Sequence, residues 1–258
     1  MKMVAAARLR RAQESAVANK PYAEKMRQVI TDVAANAGGF KHPLLEVREV
    51  NNKVYLVLAS DKGLAGAYAS NVFKEVQAHV KKGDASLVTV GKKAREFFGN
   101  RGYSIVQEYA GFSERPTYEK AQDIAIDLME RFVKGECDEI NMVYTQFVSA
   151  INSVPTTVKL LPFSFEGGKQ ESGNEYIFEP SAKEVLKHLL PQYLITMIYA
   201  ALLQAAASEL SARMTAMSNA TDNAQELIQK LDLYYNKVRQ AGITREISEI
   251  VSGAEALR

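Results

Sequence analysis

Residues 191–240 read PQYLITMIYAALLQAAASELSARMTAMSNATDNAQELIQKLDLYYNKVRQ, and after the first proline they contain neither glycine nor proline. Ala200, Leu203, Ala207, Leu210, Met214, Met217, Thr221, Ala224, Ile228, Leu231, Tyr235 and Val238 recur at alternating steps of three and four, and all but Thr221 are apolar. That spacing draws one apolar seam along an α-helix. Sustained beyond the usual length of about 8–20 residues, it predicts a coiled coil or extended shaft. At about 1.5 Å per residue, residues 192–240 alone would extend roughly 70 Å. A bundle of helices folding back on one another would need a turn inside the run, and the sequence offers none.

Residues 1–36 carry a matching seam: Ala5, Leu9, Ala12, Ala16, Asn19, Ala23, Met26, Ile30 and Val33, interrupted only by Pro21 off the seam. Both seams are rich in alanine, which lets two helices approach closely with few bulky knobs. The simplest arrangement pairs residues 1–36 with residues 181–258 as an antiparallel hairpin.

The middle of the chain, residues 50–165, has another rhythm. VYLVLA (54–59), LVTV (87–90) and INMVY (140–144) are short apolar runs of the kind buried in parallel sheets. Amphipathic stretches at 69–82 and 118–134, with a shorter one at 92–100, fall between them, so the alternation predicts a Rossmann-like open α/β sheet. TTVKLLP (156–162), bracketed by Pro155 and Pro162, would add an edge strand. A polar, glycine-rich loop at 166–173 leads back to the helix. The fold class expected is therefore α/β plus a long coiled coil: a central α/β domain between the two arms of a helical hairpin.

Composition narrows the chemistry. The 258 residues carry 32 Lys and Arg against 30 Asp and Glu, so no global basic field marks a nucleic-acid binder. Charge gathers locally, for residues 1–36 hold seven basic side chains against three acidic ones. Such a face is either solvated or bound to a partner. Cys137 is the single cysteine, and His42, His79 and His188 stand far apart. Neither a disulfide framework nor a metal site is expected. The longest apolar run, residues 194–207, falls short of the roughly 20 residues a bilayer requires, so no direct membrane insertion is expected. MKMVAAARLRR at the start is cationic and acid-free and superficially resembles an organelle presequence.

SDKGLAGAY (60–68) places two glycines directly after the first strand and before a helix. Their G-x-x-G spacing lacks the G-x-G-x-x-G of a dinucleotide turn, and no Gly-Lys-Ser/Thr follows to make a P-loop. A tight strand-to-helix connection, with Asp61 or Ser60 capping amides, is the preferred reading. G-x-S-x-G and H-E-x-x-H are both absent, so no catalytic centre and no cofactor are expected.

Three stretches are specific. MKMVAAARLRRAQ (1–13) followed by KPYA (20–23) resembles the N-terminal helix of the gamma subunit of F-type ATP synthases. YNKVRQAGITREI (235–247) and EIVSGA (249–254) are similar to that family's C-terminal signature. SDKGLAG (60–66) and MTAMSNATDN (214–223) also match. The likeness runs along essentially the whole chain.

The resemblance implies a non-catalytic central rotor shaft, coupling proton-driven rotation of the membrane ring to ATP synthesis or hydrolysis on the beta subunits. Its partners would be the alpha and beta subunits, the epsilon subunit and the ring of c subunits. Arg239, Gln240, Thr244 and Glu246 would form a polar catch between shaft and beta, with Met1 and Lys2 facing the same zone. The implied address is the cytoplasmic face of a bacterial inner membrane, an organellar inner membrane being the alternative. Family members begin about twenty residues before the methionine-rich motif at Met1, so a shortened or misassigned start is expected, and the seam from Met214 to Val238 would then lie bare. The dithiol insertion of plastid members has no counterpart. A nucleotide-binding α/β enzyme with a coiled-coil dimerisation hairpin is the competing reading, and a coiled-coil adaptor without rotary function is another.

Overall fold

The computed structural model describes residues 2–36, 41–150, 152–164, 179 and 181–257. The expected loop at 166–173 lies outside them. Two compact units divide the chain, Met1–Met214 and Thr215–Arg258.

In the first unit, α1 (Lys2–Asn36) leads through a short 3-10 turn into β1 (Lys53–Leu58), α2 (Tyr68–His79), β2 (Ala85–Val90), α3 (Lys92–Gly99), β3 (Ser104–Tyr109), α4 (Tyr118–Val133), β4 (Glu139–Phe147) and β5 (Ser153–Leu161). The five strands form one sheet in the order β3-β2-β1-β4-β5, all parallel except β5, which runs antiparallel to β4 at the edge. Pro155 sits inside β5 rather than bracketing it, as an edge strand tolerates. β3 was not foreseen: SIVQEY has no apolar run, because an edge strand is covered on one face only. Ser104, Val106 and Glu108 are exposed while Ile105, Gln107 and Tyr109 are half-buried.

The sheet is covered on both sides. Tyr55, Val57, Leu87 and Val143 meet α2 and α3 through Val72, Phe73, Val76 and Phe98. Opposite them, Val54, Leu56, Val88 and Met142 join α4 through Ile124 and Leu128, and join α5 (Ala182–Ala256) through Leu190, Leu194 and Ile198. α5 starts nine residues before Pro191 and runs through it; α1 likewise runs through Pro21.

All nine positions of the α1 seam are buried or half-buried, with Ala5, Leu9, Ile30 and Val33 fully buried. The helices run in opposite directions. Arg8 and Arg213 reach the same carboxylate, Arg27 lies beside Tyr193, and Ile30 and Val33 share the core with Leu186 and Leu190. α5 departs from a one-sided seam between Tyr193 and Ser211, where it is buried almost all round, as a helix packed between a sheet and another helix must be. The apolar part of α5, which length and composition alone could place across a bilayer, is thus mostly core.

In the second unit, from Asn219 onward, every residue of α5 for which burial is described is exposed, including Leu227, Ile228, Leu231, Tyr235 and Val238. Met214 and Met217 are half-buried, so exposure begins slightly later along the seam than expected.

Candidate functional site

Arg239, Gln240, Thr244 and Glu246 lie on α5 in the second unit, all exposed. At about 100° per residue they fall within an arc of about 160° of the helix surface, and Ile243, Ile247, Ile250 and Val251 fall in the same arc. Those four apolar side chains are also exposed. The far side carries an internal pair, Arg245 Nε to Glu249 Oε1 at 2.9 Å. Among the described residues, no hydrogen bond or ion pair engages the side chains of Arg239, Gln240 or Glu246, whereas the Thr244 carbonyl accepts from Ser248 Oγ at 2.9 Å. The arc thus offers unengaged polar groups beside bare isoleucines. Met1 lies outside the described residues, as does the side chain of Lys2.

In the first unit the strand order reverses between the parallel neighbours β1 and β4, and a nucleotide-binding fold of this kind takes its ligand outside the carboxyl ends of those strands. Here that crevice is filled by the protein itself. Ser208 Oγ donates to the Thr145 carbonyl at 3.3 Å, and Ser211 Oγ donates to the Ala150 carbonyl. Tyr68, the first residue of α2, is buried beside Glu209, and burial pushes its phenol up. Glu209 has 1% of its side chain exposed and takes Arg213 Nη2 at 2.7 Å. Burial raises the Glu209 carboxyl above its ordinary range, with hydrogen bonds from Arg213 and Ser113 pulling the other way. Arg213 also reaches the Gly63 carbonyl at 3.4 Å, so the glycine turn faces a guanidinium belonging to α5.

Asp61 organises the turn. Its Oδ1 accepts the Gly111 N–H at 2.9 Å and the Lys92 N–H, the first amide of α3, at 3.2 Å; its Oδ2 accepts the Ser113 N–H at 3.0 Å. Asp61 therefore caps amides as expected, but those of the β3–α4 loop and of the first residue of α3 rather than those of α2, the helix that follows it. Burial pushes its carboxyl up, and the three backbone N–H donors more than offset this, leaving it below its usual value. Asp61→Ala is expected to cost about 1–3 kcal/mol at neutral pH by orphaning those donors. A carboxyl held low in the folded chain stabilises above its unfolded pKa, and that contribution is lost as pH falls through the folded value. The gap between wild type and variant in urea titrations should therefore close in acid.

Glu114, in the loop between β3 and α4, gathers three cations: Arg8 Nη1 at 2.6 Å, Lys62 Nζ at 3.2 Å and Arg213 Nη1 at 3.4 Å. This hub was missed from the sequence, since its members are scattered over more than two hundred positions. One signal was readable: Glu209 and Arg213 stand at helical i,i+4 spacing and are the only charged residues between His188 and Asp222. Cys137 is fully buried, its thiol pushed up to about 11 by burial and the neighbouring Asp138 and Glu136.

A family model described as ATP synthase matches residues 1–257. The ATP synthase gamma chain of Pelotomaculum thermopropionicum is 46% identical over 260 residues, covering 100% of this chain and 92% of that protein. The ATP synthase gamma chain of Desulforamulus reducens is also 46% identical, over 259 residues, with the same coverage. A chain from the central stalk and c-ring structure of Tetrahymena thermophila mitochondrial ATP synthase shares the fold, with a TM-score of 0.66 at 23% identity over 86% of this chain and 97% of that one.

Proposed function

This chain belongs to the ATP synthase gamma chain family, and on that premise we propose that it is the central rotor shaft of a proton-translocating ATP synthase. It does no chemistry of its own. Its work is to present a different side to each of three beta subunits as it turns, so that differential contacts bias their open and closed states and convert angle into nucleotide affinity. The observation that carries this reading is the exposed part of α5: a long apolar seam with unengaged Arg239, Gln240 and Glu246 alongside it. An apolar stripe of that length in a soluble chain calls for enclosing partners. The alpha and beta subunits would enclose it, while the α/β domain would meet the epsilon subunit and the c ring at the cytoplasmic face of a bacterial inner membrane.

Arg239, Gln240, Thr244 and Glu246, with Met1 and Lys2, would form the polar catch against beta. Exposed contacts of this kind are each worth under about 1 kcal/mol, which suits contacts remade on every turn. The competing enzyme reading is opposed by the filled crevice at the reversal of strand order, where Glu209 and Arg213 stand in the way of a phosphate.

Reconstitution tests the proposal. Added to alpha and beta subunits of a bacterial relative, the chain should restore sustained ATP hydrolysis, and Arg239→Ala with Gln240→Ala should lower that rate by no more than about thirtyfold. Hydrolysis that is unchanged by adding the chain would sink the rotor reading, and calorimetric binding of ATP or NAD to the chain alone would favour the enzyme.

A further inference from the structure

We infer that Glu114 is a positioning residue for torque: an ionic clamp that fixes α1 at one rotational setting against the α/β domain and α5. The inference rests on the rotor reading above. One carboxylate, with 14% of its side chain exposed, binds cations from three separate parts of the fold: Arg8 of α1, Lys62 of the turn after β1, and Arg213 of α5. Arg213 is as sheltered as Glu114, and its ion pair with the buried Glu209 one turn earlier on α5 fixes the guanidinium that Glu114 binds.

The loop carrying Glu114 is itself held to the sheet. Gly111 and Ser113 donate their N–H groups to Asp61, and Ser113 Oγ accepts the Asp61 N–H at 3.0 Å. Movement of Glu114 relative to the strand ends would break these bonds.

Such a device is needed because the helix pair is smooth. From Ala5 to Ala23 the α1 seam is built of alanines, Leu9 and Asn19, and small side chains offer little resistance to one helix turning or sliding on another. Apolar burial is non-directional, whereas charge-assisted hydrogen bonds fix geometry. α5 is already held to the sheet by the shared core and by Ser208 and Ser211, so what Glu114 adds is a directional tie of α1 to the α/β domain and to Arg213 of α5, and loss of the clamp should let α1 turn or slide against them under torque.

The test uses the whole synthase in vesicles, comparing ATP hydrolysis with ATP-driven proton pumping and recording the angular spread of a bead fixed to the rotor. Glu114→Gln should leave hydrolysis near wild type, lower protons pumped per ATP severalfold and broaden the spread. Arg8→Cys with Glu114→Cys, bridged by a short bis-maleimide, should restore both; the buried, high-pKa Cys137 stays out of that reaction. Should Glu114→Gln fail to assemble, Arg8→Gln removes only the half-exposed arm and should show the same loss in smaller degree.

An unchanged pumping ratio and spread in whichever variant assembles would overturn the clamp, as would a fall in hydrolysis and pumping in equal proportion. Failure of the wild-type chain to support either activity would instead overturn the rotor reading.

Discussion

Gly91→Ala is expected to destabilise the α/β domain by at least about 4 kcal/mol, enough to unfold it under ordinary conditions. Gly91 follows β2 with φ at 96°, where an L side chain pays about 1–2 kcal/mol. The larger cost is steric. A Cβ there would overlap the Ala59 carbonyl oxygen and stand 2.8 Å from the Ser60 carbonyl oxygen. Neither can yield, because both belong to the chain leaving the central strand and both residues are buried. Ala59 N–H donates to the Val90 carbonyl at 2.9 Å, and Gly91 N–H donates to the Tyr109 carbonyl at 2.8 Å, so moving either segment breaks the sheet's own bonds. Gly83 is the control: its φ is also 96°, but no atom lies within 4 Å of where its Cβ would stand. Gly83→Ala should cost only about 1–2 kcal/mol. Urea midpoints followed by circular dichroism compare the two, and equal shifts would refute the overlap argument.

Arg213→Met is expected to cost about 3–5 kcal/mol at neutral pH, because it strands the Glu209 carboxylate in the core. The side chain of Glu209 is 1% exposed and its ion pair with Arg213 spans 2.7 Å. A carboxyl raised by burial binds its proton more tightly in the folded chain than in the unfolded one. Its contribution to stability is therefore full below the unfolded pKa of about 4.3 and is lost as pH rises through the folded value. Removing Arg213 raises that folded value further, so the variant's deficit should widen as pH rises and narrow towards about pH 4. Glu209→Leu on the Arg213→Met background should recover more than half of the loss, since a well-packed apolar pair replaces an unpaired buried charge. A deficit that does not vary with pH would place the cost in lost packing of the arginine stem.

Legibility from the sequence followed range. β1, β2 and β4 announce themselves as apolar runs because both their faces are covered, and β3 does not because it lies at the edge. The α1 seam was readable residue by residue down to half-buried Asn19. The all-round burial of α5 between Tyr193 and Ser211 was hidden behind a seam that marked only one of its two partners. For the exposed face, the resemblance pointed to Arg239, Gln240, Thr244 and Glu246, and periodicity alone places Ile243 and Ile247 among them. Glu114 offered no signal: its partners Arg8, Lys62 and Arg213 are separated from it by 106, 52 and 99 positions.

The sequence by itself determined the two helices, their antiparallel partnership, the alternating central domain and the family, because periodicity and breaker residues act within a few turns of chain. Only the tertiary structure decided that the crevice at the reversal of strand order is filled by Glu209 and Arg213, that Gly91 has no room for a methyl group, and that Glu114 binds three elements at once. Those facts depend on which distant atoms come within a few ångströms of one another, and packing in three dimensions sets that where spacing along the chain does not.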